Sequence, residues 1–411
     1  MTEIKTNVCV VGGGPAGLMA GYLLARAGVE VVVIEKHGDF FRDFRGDTVH
    51  PSTLQLMHEL GILEGFLKLP HQKVSRLSGQ IGDDKFMMAD FSYLNTKCKY
   101  IVFMPQWDFL NYISEQGRKY PKFNLRMNTE AIDLIEENGK IIGVKTIDDQ
   151  GELLIKSNLV IGADGRNSVI RKSANMEVEE VGAPMDVLWM RISRKPSDPE
   201  ETIGKFDAGI ILIMINRHDY WQCGFVIPKG RLEEYKAQGL HSIKERIVAM
   251  APFTRDTAND IASFDDIKLL TVKVDRLSKW YKDGLLCIGD CAHAMSPVAG
   301  VGINLAVQDA VAAANFLYMP LLKGTCDESH LRQVQERRSY PTRMTQRAQV
   351  LIQNNVIKPT LESTQMKAPW FTQVFKTLPP LQALPANLIG LGFRPEHIHS
   401  PDTRKTAGVI K

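Results

Sequence analysis

The stretch Asn7–Glu35, NVCVVGGGPAGLMAGYLLARAGVEVVVIE, decides the architecture. Asn7 to Val11 is a short apolar run that reads as a strand. Pro15 to Ala27 has helical periodicity, and Val29 to Ile34 reads as a second, β-branched strand. The order strand, helix, strand is a βαβ unit. Between the first strand and the helix, Gly12, Gly14 and Gly17 follow the spacing G-x-G-x-x-G, and Glu35 closes the second strand 18 residues after Gly17. Each part has a physical task. Gly12 permits the tight turn, Gly14 lets a pyrophosphate approach the backbone, and Gly17 lets helix and strand pack closely. The helix N-terminus offers free N–H groups and partial positive charge to phosphate. A carboxylate at Glu35 can accept from ribose hydroxyls and disfavours a 2′-phosphate, so the adenosine expected here is that of FAD or NAD rather than NADP.

Two later segments choose between them. Asn158 to Ala163 is a buried-type strand that ends in the turn Asp164-Gly165-Arg166-Asn167-Ser168, with Arg171 following. Gly284 to Ile288 is another strand, ending in Gly289-Asp290 and followed by CAHAMSPVAGVGINLAVQDAVAAANFL. Pro297 to Gly302 must be a loop, and Asn304 to Leu317 has helical periodicity, so a second glycine-permitted loop feeds a helix N-terminus.

With these segments in order, the chain resembles the single-component (group A) FAD-dependent aromatic hydroxylases related to para-hydroxybenzoate hydroxylase. The resemblance rests on the glycine fingerprint, on GADGRNSVIR from Gly162 to Arg171, and on the segment from Gly284 to Asp309, and it spans residues 5 to about 320. FRGDTVHPSTLQLMHELGI, Phe44 to Ile62, is similar to a further FAD segment of that family. The implied fold is α/β: a Rossmann-like FAD-binding domain with an interleaved mixed β-sheet substrate domain and a C-terminal helical region. The nucleotide domain would be discontinuous (1–72, 96–174, 271–345), the substrate sheet would take 73–95 and 175–270, and residues 346–411 would form the helical segment.

The resemblance also implies residue roles. Non-covalent FAD would be held by Gly12, Gly14, Pro15, Ala16 and Gly17, by Glu35 and Lys36, and by Arg45 at the pyrophosphate. Gln106 would contact it, a loose match for which a solvated strand-end glutamine is the alternative. Asp290 would bond the ribityl or pyrophosphate region, with a strand-end turn cap as the alternative. Asp164 would be cofactor-linked, or would stabilise its own turn. Backbone N–H groups of the Gly300, Val301, Gly302, Ile303, Asn304 run would face the flavin edge, where donors at a helix start stabilise the negative charge of the reduced ring. Pro297, Gly302 and Ile303 would form the catalytic flavin-edge loop, with no acid–base residue among them, and His293 and His50 are expected to be structural. The implied reaction uses NADH or NADPH as a transient co-substrate, without a second nucleotide domain, and O2. A flavin C4a-hydroperoxide would pass a hydroxyl to an aromatic or related apolar substrate.

Between Asn175 and Leu270 the chain reads as strands, including Val187 to Ile192, Ile210 to Ile215 and Trp221 to Ile227. Trp189, Met214, Trp221 and Phe225 are the candidates for a substrate wall, although such residues at strand spacing equally fit a plain core. Gln333 to Val350, rich in Arg and Gln, reads as a solvated helix kinked at Pro341. Phe371 to Gly392 is apolar and proline-rich, and packing is its expected role ahead of dimerisation or membrane contact.

Composition narrows the classes further. In 411 residues, 50 Lys+Arg against 47 Asp+Glu leave a formal charge of +3, with 44% hydrophobic residues, which excludes disordered, collagen-like and coiled-coil chains. So weak a charge gives no expectation of nucleic acid. Six dispersed cysteines do not resemble a disulfide scaffold, the N-terminus does not read as a signal peptide, and no apolar run reads as a membrane span, so a cytoplasmic protein is expected. Cys287, Cys291 and His293 lack further ligands at metal-site spacing, and no metal is expected. Competing readings are a flavin-dependent reductase or dehydrogenase, or a halogenase-like enzyme, acting on an isoprenoid, quinone or polyketide-type substrate. The halogenase W-x-W-x-I-P signature is absent, since WQCGFVIP (Trp221 to Pro228) has one tryptophan.

Overall fold

The computed structural model describes residues 2–41, 48–82, 84–364 and 379–406. Its first elements are the strand Thr2–Val11, the helix Pro15–Arg26 and the strand Val31–Ile34. Val8 to Val11 pair in parallel with Val31 to Ile34, and on its other side Thr2–Val11 pairs in parallel with Gly151–Gly162. Leu285–Cys287 and Phe123–Arg126 extend this sheet at either end, so the parallel strands run in the order 285–287, 151–162, 2–11, 31–34, 123–126. An antiparallel meander, Glu130–Glu137 and Lys140–Asp148, hangs on the long Gly151–Gly162 strand.

A parallel sheet needs cover on both faces. Val8, Val10, Val31 and Val33 pack with the helices Pro15–Arg26, Gln106–Arg118 and Gly302–Lys323 on one face. Cys9, Val11, Val32 and Ile34 pack with Leu134, Val144 and Ile170 on the other. The continuous apolar runs seen in the sequence are therefore strands buried on both sides. Helix Gly302–Lys323 is mostly apolar for the same reason: Val307, Ala310, Val311 and Leu317 are fully buried, and Asn304, Gln308 and Asp309 are buried among them. It has the length and composition of a membrane span, yet it lies in the protein core.

The second sheet interleaves distant segments. Its order is 268–270, 185–193, 220–228, 210–216, 203–207, 76–81, 84–90, antiparallel except for the 203–207/76–81 pair. Because side chains alternate along a strand, this sheet has two distinct faces. Leu188, Met190, Leu212, Met214, Trp221, Cys223 and Phe225 pack on one side against Tyr235, Ile243 and Ile247. Val187, Ile211 and Val226, with Trp189 and Ile213, lie on the other side among Val272, Ile357, Leu361 and Val298.

The helix Glu328–Ile352 passes through Pro341, continues as a π-helical turn at Gln353–Ile357, and ends as the helix Lys358–Glu362. The expectation of a solvated helix is corrected: Arg338, Gln346, Gln349 and Gln353 are all buried. They are polar, and each has a polar partner, so the stripe they form is an interior one. Within the C-terminal stretch, helix Ala383–Gly390 sets Ala386 against Ala89, Phe91, Leu94 and Ile215. Residues 371–378 of the proline-rich segment lie outside the described residues.

Candidate active site

The glycine loop is built as its spacing requires. Gly12 has φ +108°, and a Cβ there would stand 2.4 Å from the Ala163 carbonyl oxygen. A Cβ on Gly17 would stand 1.9 Å from the Gly12 carbonyl oxygen. Gly14, by contrast, is the N-cap of the helix, with Pro15 as its first residue, and has nothing within 4 Å of an added Cβ. The loop thus closes on itself at Gly12 and Gly17 and leaves an open cradle at Gly14, where a phosphate can meet the helix N-terminus. Glu35 turns toward this loop: its Oε2 accepts from the Gly13 N–H at 3.0 Å and its Oε1 from the His37 N–H at 3.2 Å. Lys36 is exposed just beyond. Arg45 lies outside the described residues. Gln106 is the first residue of helix Gln106–Arg118, following the strand Ile101–Phe103.

The two downstream motifs converge on that loop. Gly289, at φ +59°, lies so close to Ala16 that a Cβ would be 2.9 Å from the alanine methyl. Asp290 Oδ2 accepts from Arg166 Nε at 3.0 Å, which ties together motifs 124 residues apart. Asp164 Oδ2 accepts from the Val169 and Ile170 N–H groups and caps the short helix Val169–Ser173. Its Oδ1 is buried with no protein partner, which leaves one acceptor for a ligand. Asp164 thus stabilises its own turn through Oδ2, while Oδ1 remains open to a ligand. Cys287 and Cys291 are buried, with Cys291 Sγ 3.2 Å from Ser168 Oγ, and burial pushes the Cys291 thiol well up.

The loop before the long helix is strained. Ala299 sits at φ +63°, a left-handed conformation costing an alanine about 1–2 kcal/mol. Gly300 follows at φ +62°, and the Thr48 hydroxyl donates to its carbonyl at 2.8 Å. The Pro297 carbonyl accepts from the Gly300 N–H, Val301 and Ile303 are buried, and Gly302 begins the helix with open space where its side chain would be. The Asn304 side chain is spent on structure: Oδ1 accepts from the His50 N–H and the Thr53 hydroxyl, both at 2.8 Å, and Nδ2 donates to the Thr48 carbonyl. His50 is fully buried, and its Nδ1 lies 2.7 Å from the Ile389 carbonyl, which can only accept, so Nδ1 carries the proton. Burial pushes this imidazole down to about 4, against an opposing pull from that hydrogen bond.

Behind the loop lies a buried ionic chain that the sequence did not disclose. Asp309 accepts from the Gly289 N–H at 3.0 Å, from His293 Nε2 at 2.6 Å and from Arg338 Nε at 2.9 Å. Arg338 continues to Glu396, which also holds Arg337. Burial alone would raise the Asp309 carboxyl, but His293 and Arg338 hold it below the usual carboxylate range. His293 is thereby a structural residue on this geometry.

A family model described as an FAD binding domain matches residues 5–348. The chain is 33% identical over 350 residues to 6-methylpretetramide 4-monooxygenase from Streptomyces rimosus, covering 84% of this chain and 83% of that protein. This chain belongs to the family of FAD-dependent aromatic monooxygenases. It is also 24% identical to 2,4-dichlorophenol 6-monooxygenase from Cupriavidus pinatubonensis over 80% of its own length and 58% of that relative's. Its fold matches that of anhydrotetracycline hydroxylase from Streptomyces rimosus with a TM-score of 0.73 at 20% identity, over 94% of this chain and 76% of that one. FAD is the cofactor and the chain is an oxidoreductase; a relative from Rhodococcus jostii, 24% identical over 74% of this chain and 57% of that one, is named a probable NADH-specific resorcinol 4-hydroxylase.

In the second sheet of this monooxygenase the four candidates named for a substrate wall do not share one face. Met214, Trp221 and Phe225 are fully buried on the sheet face that meets helix Leu240–Met250, and Trp221 Nε1 donates to Asp198 at 3.1 Å. Trp189 is on the opposite face, laid over Gly224, whose added Cβ would stand 3.0 Å from the indole ring. The physical reason is strand phase: positions 221, 223 and 225 alternate with 222, 224 and 226. On the Trp189 face lie Ile211, Ile213 and Val226, which sequence reasoning missed, together with Val298 of the loop. The signal that could have found this face is Gly224, a strand glycine where another group comes close.

Proposed function

We propose that this monooxygenase hydroxylates a multi-ring phenolic substrate held between the Pro297–Gly302 loop and the Trp189 face of the second sheet. One observation carries the reading: Ile211 and Val226 belong to a single apolar cluster on which Trp189 and Ile213 of the sheet and Val298 of the loop all pack. A flat apolar molecule suits such a wall, and the 33% identical relative is named for the 4-monooxygenation of 6-methylpretetramide.

The bound FAD supplies the redox and oxygen chemistry. In this reading the chain's own residues do the rest. Gly12, Gly14, Pro15, Ala16 and Gly17 receive the pyrophosphate at the helix N-terminus, Glu35 and Lys36 border the adenosine, and Gln106 borders the remainder. Asp290, oriented by Arg166, and the spare oxygen of Asp164 accept from hydroxyls. The helix-start N–H groups of Val301, Gly302, Ile303 and Asn304, set by the turn at Gly300, face developing negative charge without an acid–base residue. The apolar cluster excludes water from the reacting faces. Residues 1–72, 96–174 and 271–345 form the nucleotide part, residues 73–95 and 175–270 the substrate part. The last segment, 346–411, begins inside helix Glu328–Ile352. Free thiols at all six cysteines suit a cytoplasmic setting.

The test is NADH and NADPH oxidation with oxygen uptake against simple phenols, quinolones and polycyclic phenols. Stimulated oxidation with a +16 Da product from the multi-ring phenols is the expected result. Stoichiometric reduction of the substrate under anaerobic conditions would replace hydroxylation by a reductase reading.

A further inference from the structure

Helix Glu328–Ile352 and its π-helical extension carry three buried glutamines, Gln346, Gln349 and Gln353, at spacings that place them on one face. All three reach into the segment from Ala294 to Val298. Gln346 Nε2 donates to the Asp275 and Ala294 carbonyls at 2.8 and 3.2 Å. Gln349 accepts from the Ser296 N–H at 3.1 Å and donates to the Ser296 and Val298 carbonyls at 2.9 and 3.0 Å. Gln353 donates to the Ser296 hydroxyl at 2.7 Å. Pro297 has no N–H to give. Gln349 therefore grips the residues on both sides of it and replaces the ladder that the loop lacks. The next turns of the same helix bring Ile357 and Leu361 against Ile211 and Val226 on the substrate sheet. The π-turn that carries Gln353 links the two contacts, and such turns recur at functional sites.

We propose that Gln349 and Gln353 are positioning residues that set the flavin-edge loop through Ser296 and Val298, from a helix whose continuation also lines the substrate face. This rests on the reading of Pro297–Gly302 as the loop beside the flavin. They touch no reacting atom. Their effect belongs on the partition of reducing equivalents between product and hydrogen peroxide, since a displaced loop leaves activated oxygen unguarded.

The experiment compares the FAD-loaded wild type with Gln349→Met, the milder Gln349→Glu, Gln353→Met, and the exposed control Gln333→Met. Hydrogen exchange is read on the peptide covering 294–301, alongside the visible flavin spectrum and peroxide formed per NAD(P)H oxidised. Expected are exchange at Ser296 faster by at least tenfold in Gln349→Met, an altered flavin spectrum, and a peroxide fraction at least threefold higher, with exchange in residues 5–30 and FAD content unchanged. Gln333→Met should match wild type. Unaltered exchange at 294–301 in the folded variants overturns the proposal. Faster exchange with an unaltered spectrum and peroxide fraction overturns it as well, because the glutamines would then only stabilise the fold. If no substrate yields a hydroxylated product, the function proposed above fails, and the exchange and spectral readouts still decide this one.

Discussion

Arg338 Nε lies 2.9 Å from Asp309 Oδ1, and neither side chain is more than 1% exposed. Such a pair is stable only as a set, because removing one member strands a buried charge at a cost of about 3–5 kcal/mol. Asp309→Asn is therefore expected to lower unfolding stability by about that amount in urea titrations. The acid limb follows from the sign of the shift. The folded carboxyl lies below its unfolded value of about 3.9. Its contribution is complete above about pH 4 and is lost as the pH falls through the folded value. The variant should lose that part of the acid sensitivity, which urea midpoints measured from pH 7 downward will show.

The glycines of the fingerprint separate into two kinds. A Cβ at Gly17 would sit 1.9 Å from a backbone oxygen, so Gly17→Ala must move helix or strand and should destabilise the apoprotein by a few kcal/mol. Gly14 is extended at φ −77°, with space around it, so Gly14→Ala should melt at the wild-type temperature. It should nevertheless purify colourless or bind FAD at least tenfold more weakly, since the methyl stands where the pyrophosphate approaches. Thermal melts of the two apoproteins and flavin absorbance after reconstitution decide the matter; equal FAD binding by Gly14→Ala and wild type would remove Gly14 from the site.

His50 predicts a second pH effect, in a different window. Its folded value of about 4 lies below an unfolded value of about 6.5. Its share of stability is thus whole above about pH 6.5 and is lost as the pH falls toward 4, amounting to about 3 kcal/mol over that range. His50→Gln can still donate to the Ile389 carbonyl while having nothing to titrate. Its stability should vary less with pH between 6.5 and 4 than that of wild type, as measured by urea midpoints at matched ionic strength.

The parts legible in the sequence were those whose constraints are local. A glycine turn between a strand and a helix, or a strand ending in Gly289-Asp290, needs only its neighbours to be interpreted, and these segments stand where the reading put them. Sheet phase was only half legible: in YWQCGFVIP the apolar set Trp221, Cys223, Phe225 and Ile227 alternates with Tyr220, Gln222, Gly224 and Val226, but nothing local says which face meets a helix and which the loop. The glutamine face of helix Glu328–Ile352 was misread as solvated for a related reason. Gln346, Gln349 and Gln353 repeat like a core stripe, but their partners are carbonyls and the Ser296 hydroxyl about 50 to 70 residues away, which no local pattern reveals. The Arg166–Asp290 and Arg338–Asp309 pairs are likewise products of the fold, not of spacing.

The phase of the second sheet makes the sharpest prediction about substrate. Trp221 and Trp189 lie on strands that pair directly, Trp221 opposite Ile192 and Trp189 opposite Gly224, and they point to opposite faces. Trp221 is fully buried, contacts Phe253 and anchors Asp198, so Trp221→Ala empties a large core volume and should cost about 3–5 kcal/mol. In the fraction that stays folded, KM should change little. Trp189→Ala removes a ring that packs on the same apolar cluster as Val298 of the loop, so KM for a multi-ring phenol should rise several-fold with a smaller loss of stability. Gly224→Ala adds a methyl 3.0 Å from the same ring and must displace it by a few tenths of an ångström, so it should also raise KM while leaving FAD binding intact. Steady-state kinetics with denaturant titrations on all three variants test this. If Trp221→Ala raised KM as Trp189→Ala does, the substrate would have to reach the helix-covered face, and the assignment of the pocket to the Trp189 side would fail.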